Sequence, residues 1–209
     1  MELHYDILDN QRRAFLPLFA DIRNRGFYLA GGTALALLLG HRDSIDFDFF
    51  SQNTFDTSAL FSYLEQHFAG HSIVKTQEEV GTLSLLVDDT IRVSFLHFPY
   101  PLAQPLINTE YFDIASLDDI ACMKLSAITG RTAFKDYVDL YFILERTPLK
   151  EIIATLRQKM PTLDPLLALK SLIYFDDLTE EAIIFKTTPV SFDEIKKRLT
   201  AAVAEYPRI

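Results

Sequence analysis

The sequence is poor in several residue types, and each shortage excludes something. One cysteine, Cys122, occurs in 209 residues, so no disulfide can close within the chain, as suits a reducing compartment. Flanked by Ala121 and Met123, its thiol reads as a small buried group and not as a nucleophile. Tryptophan is absent and positive charge is scarce, with a formal net charge of −9. That balance argues against a broad basic face for nucleic acid, although a local basic cleft is compatible with it. The longest apolar run, Thr33 to Gly40, is too short to span a bilayer. The opening Met1-Glu2-Leu3-His4-Tyr5-Asp6 lacks the basic start and apolar stretch of a secretory signal. A cytoplasmic protein without a membrane partner is expected. The five histidines show no zinc-ligand spacing, and there are no repeats, low-complexity segments or heptads.

Apolar bulk is abundant: 49% of residues are hydrophobic and 17 are Phe, enough to fill one domain or two closely packed lobes. The most informative stretch runs from Leu29 to Phe50. It reads as a strand, a glycine turn at Gly31-Gly32-Thr33, a short apolar helix, a loop through His41-Arg42-Asp43-Ser44, and a second strand, Asp46-Phe47-Asp48-Phe49-Phe50. Side chains alternate across a strand, so Asp46 and Asp48 share one face while Phe47 and Phe49 share the other. Two carboxylates side by side repel, and on an apolar strand they call for a cation. Mg²⁺ is the expected occupant, because it takes one or two carboxylates together with substrate phosphates and water. The glycine turn at a helix start offers close backbone approach and free N–H groups to phosphate.

These residues carry a resemblance. Gly31-Gly32-Thr33 followed by Ser44-x-Asp46-x-Asp48 resembles the signature of nucleotidyltransferases with a DNA polymerase β-like palm. The Gly31 to Leu37 run, His41-Arg42, Lys124 and Lys135-Asp136-Tyr137-Val138-Asp139-Leu140 narrow it to the AbiEii/AbiGii toxin family of abortive-infection and toxin–antitoxin systems. The likeness covers roughly residues 26 to 145. It implies an α+β fold with a mixed palm sheet and flanking helices, followed by a C-terminal helical lobe. It also implies nucleotidyl transfer from a nucleoside triphosphate to an acceptor hydroxyl, with tRNA or a protein as candidate acceptor and a cognate antitoxin as partner.

Elsewhere the pattern is plainer. Residues 6 to 25 read as an amphipathic helix interrupted at Pro17, with Arg12 and Arg13 among its polar residues and Gly26 as its stop. A helix from Thr57 to Phe68 precedes strands at 72–77, 82–87 and 90–98, the last two joined by an Asp88-Asp89 turn. Prolines at 99, 101 and 105 mark the expected boundary between a palm, residues 1–104, and a helical lobe, residues 105–209, closing the cleft. Ser116 caps a helix running to about Gly130, with Asp118 and Asp119 at the positive end of its dipole, and another spans Ala133 to Glu145. Later helices start near Pro148, Asp164-Pro165 and Ser191. Asp176-Asp177 and Glu180-Glu181 read as a solvated loop and helix cap.

In the site so implied, Gly31, Gly32 and Thr33 cradle phosphates with Ser44, and Asp46 and Asp48 bind metal. Arg42, Lys124 and Arg131 are the cationic partners of the phosphates. Polymerase-like palms place a third carboxylate on the neighbouring strand, and here Ser94 occupies the expected position. Asp136 or Asp139 is expected to stand in as base or ligand, although Lys135 and Asp139, four apart, also suit a solvated helix pair. The missing carboxylate keeps two alternatives open, a nucleotide-binding module with weak catalysis and a phosphotransferase.

Overall fold

The computed structural model describes residues 2–206. Seven strands form one mixed sheet in the order β3-β4-β5-β2-β1-β7-β6. They are β1 (Tyr28–Ala30), β2 (Asp46–Ser51), β3 (Ile73–Glu79), β4 (Thr82–Val87), β5 (Ile91–His97), β6 (Ile107–Asn108) and β7 (Asp113–Ile114). The helices are α1 (Asn10–Phe15), α2 (Gly31–Leu39), α3 (Thr57–His67), α4 (Leu117–Ala127), α5 (Phe134–Ile143), α6 (Leu149–Lys159), α7 (Pro165–Leu172) and α8 (Phe192–Ala204). None of the described helices is long and apolar enough to cross a membrane.

The strand parity drives the packing. Phe47 and Phe49 are fully buried, whereas the aspartates between them keep partial access to solvent. Phe19 covers that buried face at 4.8 Å from Phe47 and 4.9 Å from Phe49, and Phe15, Phe68 and Phe112 pack around it. Aromatic stacking on one side thereby fixes which side of β2 the carboxylates occupy. The register does the rest. Antiparallel pairing puts Ala30, the last residue of β1, beside Asp48, and parallel pairing puts Ser94 of β5 on its other side. The β4–β5 hairpin turns at Asp88 and Asp89, both with positive φ, as a tight two-residue connection requires.

The expected long helix over residues 6 to 25 does not form. It is divided into α1 and three 3₁₀ turns, Tyr5–Ile7, Leu16–Phe19 and Ile22–Arg25. Pro17 has no N–H to continue a ladder, and Asp9 instead caps the short α1 by accepting from the Arg12 amide. Its apolar residues Phe15, Phe19 and Ile22 are nevertheless buried as a helical stripe would bury them. Arg12, which the pattern placed toward solvent, is buried and donates to the carbonyls of Ile45 at 2.8 Å and Thr90 at 2.7 Å. It ties the entry of β2 to the β4–β5 turn.

Strands β6 and β7 come from beyond residue 104 and extend the sheet through Leu29 and Ile114. Helix α4 packs against α2, α5 and α6, and α5 against α8. Its cap is Ser116, which accepts from the Asp119 amide at 3.0 Å. Asp119, expected only to complement the helix dipole, is fully buried and pairs with Lys159 at 2.6 Å. Cys122 is fully enclosed, and burial pushes its thiol up to about 12, so it is inert at neutral pH.

Candidate active site

A cavity of about 520 Å³ lies above the carboxylate face of β2. Gly32, Thr33, Arg42, Ser44, Asp46, Asp48, Lys124, Arg131 and Asp136 all line it. Of the residues to which the sequence gave a phosphate, metal or catalytic role, Gly31 and Asp139 do not line it. Both lie just beyond its wall.

The glycine turn is shaped by its neighbours. Gly31 adopts φ +71°, and a Cβ there would come within 3.0 Å of the Asp48 carboxylate; a Cβ on Gly32 would come within 2.8 Å of the Arg42 guanidinium. The backbone at Gly31 therefore requires glycine, and a side chain at Gly32 would displace the tip of Arg42. Helix α2 then begins with no side-chain cap, leaving its first N–H groups available to an anion. Thr33 supports the loop instead: its hydroxyl lies 2.8 Å from that of Ser44 and donates to the Asp46 carbonyl.

The carboxylate pair is undersupplied with positive partners. Asp46 has a buried carboxylate oxygen without any hydrogen-bond partner. Burial, and next the charge of Asp46, push Asp48 up to about 6, against the opposing pull of Lys124, Arg131 and the Ser94 hydroxyl. An orphaned carboxylate oxygen beside a strained second carboxylate is the donor set a hard divalent cation completes. Among the described residues no group of three His, Cys, Asp or Glu converges as a metal site. A cation held by Asp46 and Asp48 would have to take its remaining ligands from substrate and water. Ser94 stands in register with Asp48 and accepts a bond from Ser84 at 3.2 Å, so a hydroxyl, not a carboxylate, neighbours the pair on β5.

The second acidic pair is arranged in the opposite way. Asp139 is fully buried and accepts from Arg42 twice, Nε at 2.7 Å and Nη2 at 2.9 Å, from Lys124 at 2.5 Å and from His41 at 2.9 Å. Burial alone would raise its pKa, but the Lys124 and Arg42 charges with the His41 and Arg42 bonds hold it well below the usual carboxylate range. Asp136 takes Lys124 at 2.7 Å and Arg131 at 2.8 Å. Burial works against the Lys124 ammonium, yet the two carboxylates outweigh it and raise its pKa. The alternative Lys135–Asp139 helix pair that the spacing also suits is not the one made, because Arg42, Lys124 and His41 fill the Asp139 carboxylate from other elements. Lys135 lines the cavity instead.

Donor capacity remains after these bonds. Arg42 spends three of its five N–H groups, on Asp139 and on the Asp43 carbonyl. Arg131 spends two and keeps a side chain 63% exposed at the cavity. The wall also includes Glu181, Ala182, Ile183 and Ile184; of these the sequence reading took up only Glu181, as part of a solvated loop and helix cap. Their one signal was the short apolar run Ala182 to Phe185 between Glu181 and Lys186, too brief to mark an element.

A mixed sheet that carries an Asp-x-Asp strand beside a glycine turn, with helices α4 and α5 bringing cations to it, is the polymerase β-like nucleotidyltransferase fold. Solved structures agree in architecture. MenT4, a nucleotidyltransferase toxin from Mycobacterium tuberculosis H37Rv, superposes with TM-score 0.62 at 16% identity, covering 94% of this chain and 83% of that one. JHP933 from Helicobacter pylori superposes with TM-score 0.57 at 17% identity over 97% and 92% of the two chains. A protein of Aquifex aeolicus (strain VF5), aq_aa25, is 35% identical over 186 residues, 86% of this chain and 87% of its own. Residues 18–207 match the family described as nucleotidyl transferase AbiEii toxin of type IV toxin–antitoxin systems. The chain belongs to that AbiEii nucleotidyltransferase toxin family.

Proposed function

We propose that this cavity binds a nucleoside triphosphate with Mg²⁺ and transfers its nucleotidyl group to an acceptor hydroxyl, with tRNA as the acceptor class to test first. The observation that carries the reading is the Asp46–Asp48 pair, with its unpartnered Asp46 oxygen, facing a capless helix start and the cations Arg42, Lys124, Arg131 and Lys135 across one cavity. Asp46 and Asp48 hold the metal, which when bound neutralises phosphate charge and lowers the pKa of a coordinated oxygen. The Gly32 and Thr33 turn receives phosphate oxygens. Arg42, Lys124 and Arg131 stabilise the charge that develops as the acceptor oxygen bonds to the α-phosphorus and the bond to the departing pyrophosphate breaks.

Asp136 and Asp139 act by position. Their oxygens are committed to cations, and Asp139 lies behind the wall; they hold Arg42, Lys124 and Arg131 in place and are not free to accept the acceptor proton. The helices from α4 onward serve as the lobe that closes the cleft. Membership of a toxin family supports a toxic transferase neutralised by an antitoxin protein in the cytoplasm, and abortive infection is one setting in which it would act.

The test is incorporation of α-labelled ATP, CTP, GTP and UTP into total tRNA with Mg²⁺, by the native protein and by Asp48→Ala. Label in RNA from the native protein alone supports the reading. Ser94 supports a second one, nucleotide binding with little turnover, since no third carboxylate stands beside Asp48. Mg-dependent nucleotide binding without pyrophosphate release would select it. Release of nucleoside diphosphate would select phosphotransfer.

A further inference from the structure

The wall made by residues 181–184 has a chemistry unlike the rest of the cavity. The segment is anchored to the loop between α2 and β2 as an antiparallel bridge: Phe185 pairs with Arg42, the Asp43 amide donates to the Ile184 carbonyl at 2.9 Å, and the Lys186 amide donates to the His41 carbonyl at 3.0 Å. Lys186 also pairs with Asp43 at 3.0 Å, and the Phe185 ring packs on Phe142. So fixed, the segment brings Ile184, 66% exposed, and Ala182 and Ile183 to the same cavity as Ile45, 50% exposed. Large aliphatic side chains left this open inside a pocket otherwise built of carboxylates, hydroxyls and cations call for an apolar occupant. The neighbouring end of the cavity is suited to phosphates and a divalent cation. A ligand that joins a charged phosphate tail to a flat apolar face is a nucleotide.

We infer that Ile45 and Ile184, with Ala182 and Ile183, form the nucleobase subsite, and that the base of the nucleoside triphosphate lies against this aliphatic wall while its phosphates reach the glycine turn. The assignment rests on the nucleotide-binding reading above and adds the residues that distinguish a nucleotide from bare phosphate. The anchored bridge matters because it links the two ends: residues 41–44, which present Arg42 and Ser44 to the phosphates, are the strand partner that positions Ile184. Ile45, Ala182, Ile183 and Ile184 are aliphatic, so they meet the face of a base and do not read its edge.

The experiment is calorimetric titration of the full chain with Mg²⁺ and three probes: the α,β-methylene analogue of ATP, inorganic tripolyphosphate, and a trinucleotide RNA. Native protein, Ile184→Ser and Ile45→Ser are compared, with Ile184→Val as the conservative control. The expected result is that each serine variant weakens the ATP analogue about tenfold, by loss of apolar contact, leaves tripolyphosphate unchanged, and that Ile184→Val stays near native. Equal weakening of both phosphate ligands would overturn the assignment, because the side chains would then be supporting the phosphate site. A native protein that binds tripolyphosphate as tightly as the ATP analogue would overturn the subsite and leave the phosphate site standing. Loss confined to the trinucleotide would give the wall to the acceptor instead. Binding of neither phosphate ligand by native protein would remove the underlying nucleotide reading and this subsite with it.

Discussion

Two pairs of aspartates lie close to one cavity, and they are opposites. Asp46 and Asp48 share a strand face, Asp46 keeps a buried oxygen with no partner, and burial followed by the Asp46 charge raises the pKa of Asp48. Asp136 and Asp139 share a helix, and Arg42, Lys124, Arg131 and His41 occupy them. The first pair is left hungry for a cation from outside, and the second is satisfied by cations from within the chain. The difference teaches where binding capacity resides. A carboxylate already saturated with guanidinium and ammonium groups orients those groups, while an unsaturated one recruits a ligand.

The comparison can be broken most directly at the unsaturated pair. Asp46→Ala is expected to reduce nucleotidyl transfer by about a thousandfold, because charge stabilisation worth several kcal/mol is removed with the metal. The fold should persist; circular dichroism alongside the α-label assay checks both. If activity survives, Asp46 is not the recruiting residue.

At the saturated pair the loss should appear in stability. Asp139→Ala strands Arg42 in the interior without its counter-ion and leaves Lys124 with Asp136 alone, at a cost of about 3–5 kcal/mol, read by urea unfolding. The pH dependence has a definite sign. The folded pKa of Asp139 is depressed, so its stabilisation is present above the unfolded carboxylate value near 4 and is lost as pH falls below it. A flat native stability profile below pH 4, unchanged by the substitution, would contradict the assignment.

Asp48 titrates in the other direction. Its folded pKa of about 6 exceeds the unfolded value of 3.8, so the native state loses stability from this group as pH rises between those values, and stays lower above them. Asp48→Asn in metal-free buffer should therefore stabilise the protein by about 1–2 kcal/mol at pH 8, after discounting for the partial solvent access of the site. The gain should shrink as pH falls through 6 toward 4. Thermal melts across that range measure it, and added Mg²⁺ should narrow the difference by stabilising the native carboxylate pair.

The smallest effect is expected at Lys135. It makes no ion pair with Asp139, so Lys135→Ala should change unfolding stability by less than about 0.5 kcal/mol. A loss of several times that exceeds what a solvated i,i+4 pair supplies and would mean that Lys135 has a buried partner other than Asp139.

Much of the site was legible because it is local. The parity of Asp46-Phe47-Asp48-Phe49, the glycines before an apolar helix, and the Ser116 and Ser191 caps each depend on a few neighbouring residues. The Ser94 position was readable too, once the hairpin at Asp88-Asp89 set the strand phase. What was misread needed partners from afar. Arg12 and Asp119 look like surface charges in sequence and are buried donors and acceptors in the fold. Lys135 and Asp139 look like a pair, but Asp139 receives Arg42 from 97 residues away.

By itself the sequence determined the alternation that puts both metal-seeking carboxylates on one face, the glycine positions that let helix and strand approach, and the lone thiol that forbids an internal disulfide. Alternation and backbone freedom are properties of consecutive residues, so no tertiary contact is needed to read them. Only the tertiary structure decided that Asp139 would turn away from the cavity to clamp Arg42 and Lys124, and that residues 181–184 would return to wall the site opened by residues 31–48. A buried charge selects its counter-ion by the geometry of packed elements, and that geometry is set only when the sheet and the helices have come together.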